Sequence, residues 1–298
     1  MIKAKRIGHA SFTTPDLDRQ IDHYREVVGL HLVDREPNRA FMGTNAGQLA
    51  VVLEKGAQES CTRLSFEVSP SQSFDEMSKQ LASLGLKSEK RSDAIPGLAD
   101  TLVFSDLKGT TIELFAEPRF VPKGPKLGGA VALKLGHLAF VVPDPKAASE
   151  FYEKVLGFRV SDWIGDFFVF LRCGVDHHTV NFIRGSKVKM HHMAFEMRDT
   201  AHLHNALDQL GQKQVEIIWG PVRHGPGHNV AAYHFNPDGQ MIEFFAELDR
   251  MSDEESGYFD PKPWHRDLPQ RPKVWDPKLQ RDMWGAPPTA KFIDFVKS

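Results

Sequence analysis

Residues 134–162, KLGHLAFVVPDPKAASEFYEKVLGFRVSD, decide the fold, because they align without a gap on residues 6–34, RIGHASFTTPDLDRQIDHYREVVGLHLVD. The offset is 128 residues, and nine of the 29 aligned positions are identical. Two further pairs of segments repeat at a similar spacing: RLSFEV at 63–68 with HMAFEM at 192–197, and TTIELFAE at 110–117 with QMIEFFAE at 240–247. The chain is therefore predicted to be a duplication, with about 120 residues in each half.

Each half shows the same order of local patterns. A short alternating strand is followed by a helix that a Pro-Asp pair opens, and then by short strand-like runs separated by turns. In the second half the strand is GHLAFVV and the helix is DPKAASEFYEKVLG, which Gly157 is predicted to end. A further unit runs from HHMAFEM through the helix DTAHLHNALDQLG to VAAYHF and QMIEFFA, with a turn at 236–239. Four βαβββ modules, two per half, are predicted, which is an α+β fold.

The length of 298 residues exceeds that of one modal domain and favours two. We expect two similar domains at 1–129 and 130–250, followed by a tail at 251–298. The tail contains several prolines, no sustained periodicity and three tryptophans, Trp264, Trp275 and Trp284. So many large aromatic side chains in a short segment indicate that the tail packs on the domains or in an interface.

Composition excludes several classes of partner. A net charge of -2 provides no basic field to attract nucleic acid or an anionic membrane. Cys61 and Cys173 are far apart and in no CxxC spacing, which argues against disulfide scaffolding and thiolate metal sites. The N-terminus lacks a signal-peptide core, and no apolar run approaches the ~20 residues of a membrane helix. We expect a soluble, cytoplasmic protein with a small-molecule partner.

The aligned halves share a His on the first strand and a Glu on the last strand, but they differ on the strand between. The aligned pairs, first half first, are His9 and His137, Arg63 and His192, and Glu113 and Glu243. An arginine cannot ligate a cation, so only the second half has all three candidate ligands. Two imidazoles and one carboxylate hold a divalent metal on one side and leave its other positions open. The first half is predicted to lack a metal site.

The residues alone leave several alternatives open. His191 and His192 are adjacent on a strand, so only one can reach the metal, and the pattern does not choose between them. His177 and His178 pose the same choice: one is a candidate acid/base, and the other is expected to face solvent. A divalent ion with two neutral His and one carboxylate keeps one positive charge, which favours an anionic chelating substrate such as a singly deprotonated diol.

Histidines are concentrated near these candidates. Nine of the 14 in the chain lie between 177 and 234. Imidazoles transfer protons near neutral pH, and a phenol such as Tyr233 can donate a hydrogen bond to a developing oxyanion. We expect His228 and His234 to be surface residues without such a role.

Taken together, these motifs resemble the type I extradiol catechol dioxygenases of the vicinal oxygen chelate superfamily, which act on catechol or 2,3-dihydroxybiphenyl. The likeness covers roughly residues 1–250. It is most specific from Arg223 to Glu243, where RHG precedes a Tyr nine residues after its His and then a strand that carries the carboxylate. LGHLAFVVPD, DHHTVNF and MHHMAFEM match the other signatures of that family.

The resemblance implies two half-open barrel domains and a non-heme Fe(II) held by His137, His192 and Glu243, with Mn(II) in some members. It selects His192 over His191. It also implies that His178 is the acid/base, while His224 and Tyr233 form hydrogen bonds to the substrate hydroxyls or to the oxygens at the metal. The expected reaction opens a catechol-type ring with O2 to a muconic semialdehyde-type product, in a homo-oligomer.

The same modules serve other functions, because fold alone does not decide activity. The alternatives are a metal-dependent glyoxalase-like or epimerase-like isomerase and a small-molecule-binding protein without catalysis. A glyoxalase-like isomerase needs a fourth protein ligand, and TVNFIR offers no carboxylate or Gln on the expected strand. Phe182 and Trp163 are candidates for the wall of an apolar substrate pocket.

Overall fold

The structure, a computed structural model, describes residues 2–122, 128–264, 266–279 and 282–298. The first half contains two βαβββ modules. The first is β1 (Ala4–Thr14), α1 (Leu17–His23), β2 (His31–Arg35), β3 (Arg39–Gly43) and β4 (Leu49–Lys55). The second is β5 (Ser60–Val68), α2 (Phe74–Ser83), β6 (Glu89–Ile95), β7 (Leu98–Ser105) and β8 (Thr111–Phe115). A π-helical turn, Tyr24–Val28, extends α1. The eight strands form one sheet in the order β2-β3-β4-β1-β5-β8-β7-β6.

The second half repeats this arrangement. Its first module is β9 (Lys134–Val142), α3 (Pro145–Leu156), β10 (Arg159–Ile164), β11 (Phe168–Arg172) and β12 (Val180–Arg184). Its second is β13 (Lys189–Glu196), α4 (Thr200–Gln212), β14 (Trp219–His224), β15 (Val230–Phe235) and β16 (Met241–Ala246). The prediction of four βαβββ modules is confirmed.

Local capping explains where the first helix of each half begins and ends. The Asp16 side chain accepts a hydrogen bond from the backbone N–H of Arg19, and Asp144 accepts one from Ala147, so each satisfies a helical donor without an intrahelical partner. Gly157 follows α3 with a φ of 70°, a left-handed conformation that glycine adopts without steric cost. The predicted Pro-Asp starts and the predicted stop at Gly157 are confirmed.

Strand pairing places the first strands of the two modules at the centre of each half. β9 pairs antiparallel with β13, while β12 is parallel to β9 and β16 is parallel to β13. The strands β9, β13 and β16 therefore lie side by side. Residues in register on these strands project from the same face of the sheet.

The two halves share one hydrophobic core, to which buried side chains of both contribute. The ring of Tyr24 packs edge-on to Phe195 at 6.2 Å, and its hydroxyl donates to the sulfur of Met193 at 3.0 Å. Phe66 packs on Phe158 at 5.4 Å. Because these pairs cross from one half to the other, the halves are held together by packing.

The C-terminal tail extends the second sheet at both edges. It adds β17 (Lys273–Trp275), which pairs in parallel with β10, and β18 (Asp282–Gly285), which pairs antiparallel with β14. The helix α5 (Ala290–Lys297) follows. The sheet then has ten strands in the order β17-β10-β11-β12-β9-β13-β16-β15-β14-β18.

A buried histidine joins the tail to the second half. The ring of His228 stacks on that of Trp264 at 5.3 Å. Its Nδ1 lies 2.5 Å from Asp249, and its Nε2 lies 3.2 Å from Asp267 in the tail. The tail is therefore fixed by buried polar contacts as well as by strand pairing. No helix in the described part of the chain is long and apolar enough to cross a membrane.

Candidate metal centre

Three neighbouring strands bring His137, His192 and Glu243 together. Ala194 on β13 is in register with His137 on β9 and with Glu243 on β16. His192 lies two residues before Ala194, so its side chain projects from the same face of the sheet. One ligand atom of each of the three residues lies within 4.8 Å of the other two, and all three residues are buried.

The geometry of this group suits a divalent cation. Oε2 of Glu243 lies 3.2 Å from Nε2 of His137 and 3.1 Å from Nε2 of His192. Nε2 of His192 is buried and has no hydrogen-bond partner among the described residues. Burial, with His191 and His137 beside it, holds the pKa of His192 well below its ordinary value, so this imidazole is neutral, the form that ligates a metal ion. Asn229 donates to Oε1 of Glu243 at 2.9 Å and orients the carboxylate.

The structure also shows how the two adjacent histidines differ. Nδ1 of His191 lies 2.7 Å from Nδ1 of His192, so one of these nitrogens donates to the other. His192, and not His191, belongs to the group that surrounds Glu243. His191 contacts Nδ1 of the His192 ring and helps to fix the orientation of that ring.

Both halves match one family model. The model of the glyoxalase/bleomycin resistance protein/dioxygenase superfamily matches residues 6–114 and again residues 134–244. The chain belongs to this superfamily. Its halves are thus two copies of the superfamily unit.

The relatives of this chain include a metapyrocatechase and a dioxygenase. The chain is 26% identical over 261 residues to a metapyrocatechase from Pseudomonas sp. (strain CF600), covering 80% of this chain and 85% of the relative. It is 24% identical over 298 residues to a 2,2',3-trihydroxybiphenyl dioxygenase from Sphingomonas paucimobilis, covering 94% and 99%. The Mn(II)-bound glyoxalase from Novosphingobium aromaticivorans superposes with a TM-score of 0.83 at 24% identity, over 98% of this chain and 94% of that one. This last likeness concerns the fold alone.

In this member of the superfamily the three candidate ligands lie in a cavity of about 330 Å³. Apolar side chains form much of its wall: Ile164, Phe168, Phe170, Ile183, Trp219, Pro226, Pro288, Phe292 and Val296. Pro288, Phe292 and Val296 come from the tail. No Lys or Arg is among the described residues that line the cavity.

His178 lies against the candidate ligands. Its ring centroid is 4.2 Å from that of His137, and its Nδ1 is 2.9 Å from Nδ1 of His177. Nε2 of His177 donates to Asp162 at 3.1 Å, because a carboxylate only accepts. When Nδ1 of His177 carries no proton, it accepts from Nδ1–H of His178, and Nε2 of His178 then keeps a free lone pair. Burial, with the nearby imidazoles of His137 and His177, holds the pKa of His178 well below its ordinary value.

His224 and Tyr233 lie on the other side of the group. Tyr233 on β15 is in register with Glu243, so its phenol projects into the cavity. Nε2 of His224 lies 2.9 Å from the Tyr233 hydroxyl, and its Nδ1 lies 2.8 Å from Oδ1 of Asp282. Burial and the neighbouring carboxylate of Glu243 hold the pKa of Tyr233 well above its ordinary value, so the phenol stays protonated.

Three expectations about histidine exposure are wrong, because His177, His228 and His234 are all buried. His177 forms a hydrogen bond to Asp162 instead of facing solvent. The ring of His234 lies 5.6 Å from that of His23 in the first half. Local sequence gives no information on tertiary packing. It therefore shows neither that the first half covers β15 nor that the tail covers His228.

The expected pocket aromatics are also wrong. Phe170 is in register with Asn181, and both line the cavity, so Phe182 projects from the opposite face of the sheet. There it packs on Tyr152 at 5.1 Å. Trp163 is not among the cavity residues. The alternation of residues along β11 and β12 indicates which side chains face the cavity, but only once the register of the two strands is known.

The first half carries His9 and Glu113 at the positions that match two of the candidate ligands, with Arg63 at the third. His9 lies 3.0 Å from Glu113, the Ser65 hydroxyl donates to the same carboxylate at 2.7 Å, and the Arg63 guanidinium lies 3.7 Å from it. Burial alone would raise the pKa of Glu113, but its contacts with His9, Ser65 and Arg63 lower it to about 2. The positive charge beside the Glu113 carboxylate is therefore supplied by a side chain of the protein, the Arg63 guanidinium. The same half contains a cluster of buried apolar side chains: Phe41, Val52, Ile95, Leu98 and Phe115.

Proposed function

We propose that this protein is an extradiol ring-cleavage dioxygenase that opens a catechol-type diol with O2, using Fe(II) held by His137, His192 and Glu243. The observation that supports this most is the set of three ligands at the base of an apolar cavity, with His178 on one side and Tyr233 on the other. The two named relatives act in the same class. Three protein ligands leave positions free for a chelating diol and for oxygen.

The bound iron would supply a Lewis acid for the diol and an electron path to O2. The chain's own residues bind, orient and exchange protons. The neutral imidazole of His178 presents a free Nε2 on one side of the group and can accept a substrate proton and return it. On the other side the Tyr233 hydroxyl, which donates to Nε2 of His224, can accept a hydrogen bond from the substrate hydroxyl and orient the ring. Apolar walls exclude water from the reacting atoms.

The cavity wall favours an uncharged ring substituent. A divalent ion bound by two neutral imidazoles and one carboxylate keeps one positive charge. A singly deprotonated diol neutralises this charge. An additional carboxylate on the ring would meet no Lys or Arg among the described lining residues, and it would meet Asp282 at the rim. Alkyl-substituted or aryl-substituted diols fit the wall better.

The experiment is to purify the protein without air, load it with Fe(II) or Mn(II), and measure bound metal. Catechol, 3-methylcatechol, 2,3-dihydroxybiphenyl and 3,4-dihydroxyphenylacetate are then added with O2. The formation of yellow product and the consumption of O2 are followed together. We expect one equivalent of bound metal per protein chain and one O2 consumed per product formed. We also expect faster turnover of the three uncharged diols than of 3,4-dihydroxyphenylacetate.

The alternative is a metal-dependent isomerase, for which the fold of the Mn(II)-bound glyoxalase is the supporting observation. Bound zinc or nickel with no O2 uptake would favour that alternative and contradict the dioxygenase proposal. A protein that binds diols but consumes no O2 with either Fe(II) or Mn(II) would be a binding protein.

A further inference from the structure

The tail contacts the candidate site at both edges of the second sheet. At each edge a chain of hydrogen-bonded side chains leads from the tail to the cavity. One chain starts on β18 and ends at His224. The other starts on β17 and ends at His178. The two histidines are those that the proposed reaction uses without ligating the metal.

The first chain begins at Asp282. β18 pairs with β14 so that Asp282 is in register with His224. Oδ1 of Asp282 lies 2.8 Å from Nδ1 of His224, and the opposite nitrogen of that ring faces the Tyr233 hydroxyl at 2.9 Å. A carboxylate only accepts, so Nδ1 must carry the proton. When the ring carries this one proton, Nε2 accepts from the Tyr233 O–H, and the Tyr233 oxygen presents its lone pairs to the cavity.

The second chain begins at Trp275. Its indole Nε1–H donates to Oδ2 of Asp162 at 2.7 Å, and the backbone N–H of Lys273 donates to Oδ1 at 2.9 Å. Both donors lie on β17. Asp162 in turn accepts from Nε2–H of His177, and Nδ1 of that ring, when it carries no proton, accepts from Nδ1 of His178 at 2.9 Å. The tail thus fixes the carboxylate that sets the tautomer of His177 and, through it, that of His178.

We propose that the C-terminal tail is a positioning element of the site, in which Asp282 sets the orientation and tautomer of His224 and Trp275 acts through Asp162 on His178. The role of these residues in turnover rests on the proposed function. Their effect on the histidine rings does not, because it follows from hydrogen bonds within the chain. Neither Asp282 nor Trp275 belongs to the candidate ligand group.

The test compares Asp282→Ala and Trp275→Phe with Asp276→Ala. Asp276 belongs to the same tail, but its side chain is exposed and caps the backbone N–H of Lys278 outside the cavity. Bound metal, kcat and KM are measured for each. We expect unchanged metal content in all three and a fall in kcat of roughly 10- to 100-fold for the first two only. Loss of metal from D282A or W275F, or wild-type kcat in both, would overturn the proposal.

Two further measurements separate positioning from general loosening of the tail. The first is a double-mutant cycle, in which D282A is expected to have no further effect on kcat in the His224→Phe background. Additive losses would mean that Asp282 does not act through His224.

The second measurement records 15N–1H spectra of the full-length, histidine-labelled protein loaded with Zn(II), with His224 assigned by its absence in H224F. We expect a proton on Nδ1 of His224 in the wild type and in D276A, and a shift toward the Nε2 tautomer in D282A. The same tautomer in D282A as in the wild type would overturn the proposal. If the wild-type protein opens no diol, the proposed function fails, and this spectrum still decides the role of Asp282.

Discussion

Glu243 and Glu113 are glutamates at equivalent positions on equivalent strands, but their carboxylates have different neighbours. Glu243 has two imidazoles and an amide around it, with one carboxylate oxygen shared between the imidazoles. Glu113 has one imidazole, a hydroxyl and a guanidinium as partners, so its charge is already compensated within the protein. This pair of residues allows a matched experiment on metal binding.

Glu243→Gln is expected to weaken metal binding at least about tenfold, or about 1.4 kcal/mol, because it removes the anionic ligand. Glu113→Gln is expected to leave one equivalent of metal bound. Both are measured by metal analysis after dialysis against a graded chelator. Equal loss of metal from the two variants would contradict the assignment of the ligands to the second half.

His178→Phe is expected to keep the metal and to lower kcat by about 10² to 10⁴, the range for loss of a general acid or base. The ring of His178 packs at 4.2 Å from His137 without belonging to the ligand group, so an aromatic replacement preserves the contact. Metal analysis and steady-state O2 uptake check this. His204→Phe, an exposed histidine on α4, is the control. Full activity in H178F would remove the assigned role.

At the scale of single elements, β18 depends on one close backbone approach. Gly285 has a φ of 123°, and a Cβ added there would lie 2.8 Å from Cα of Val222 on β14. That neighbour is backbone and cannot move aside cheaply. β18 can therefore pair with β14 only if a glycine occupies this position.

Gly285→Ala is expected to loosen β18, to lower kcat in the way that loss of Asp282 does, and to destabilise the fold by about 1–3 kcal/mol. Gly257→Ala is the matched control, since Gly257 also has a positive φ, 67°, but nothing within 4 Å of the added Cβ. Steady-state kinetics and thermal unfolding of both variants are compared. A G285A protein with wild-type kcat would show that β18 does not act on the site.

The elements that sequence predicted well are those whose signals are local. Alternation, Pro-Asp starts and the stop at Gly157 need only neighbouring residues, and the four modules could be predicted from them. The strands β17 and β18 are short and pair with residues about 60 to 110 positions away, so no local pattern marks them. Asp282 and Asp162 were missed for that reason, because their roles exist only once the tail has paired with the sheet.

At the scale of the whole molecule, the halves meet at a pair of buried histidines. The ring of His23 on α1 lies 5.6 Å from that of His234 on β15. Within the part of the chain that the structure describes, Nε2 of His23 and both ring nitrogens of His234 are buried without a hydrogen-bond partner. Burial lowers the pKa of His23 to about 4 and holds that of His234 well below its ordinary value. Both rings are therefore neutral at neutral pH.

This contact is expected to make the protein sensitive to acid. The unfolded chain binds a proton at His23 below about pH 6.5, whereas the folded protein resists it until about pH 4. The free energy of unfolding therefore falls as the pH drops through this window, by up to roughly 3 kcal/mol from this residue. Urea unfolding at pH 7 and pH 4.5 measures the change. We expect a smaller change in His23→Gln and a wild-type change in His204→Gln; equal changes in all three would contradict the explanation.

The ion pair at Glu113 has a consequence for the evolution of the duplication. The first half retains a histidine and a glutamate at two of the ligand positions, but the Arg63 guanidinium lies 3.7 Å from the buried carboxylate. Removing one partner of a buried charge pair leaves the other charge uncompensated, which is strongly destabilising. Arg63→His, the single change that restores all three ligand types, therefore costs stability unless a metal ion binds in its place. This cost favours the persistence of the difference between the two halves over evolutionary time.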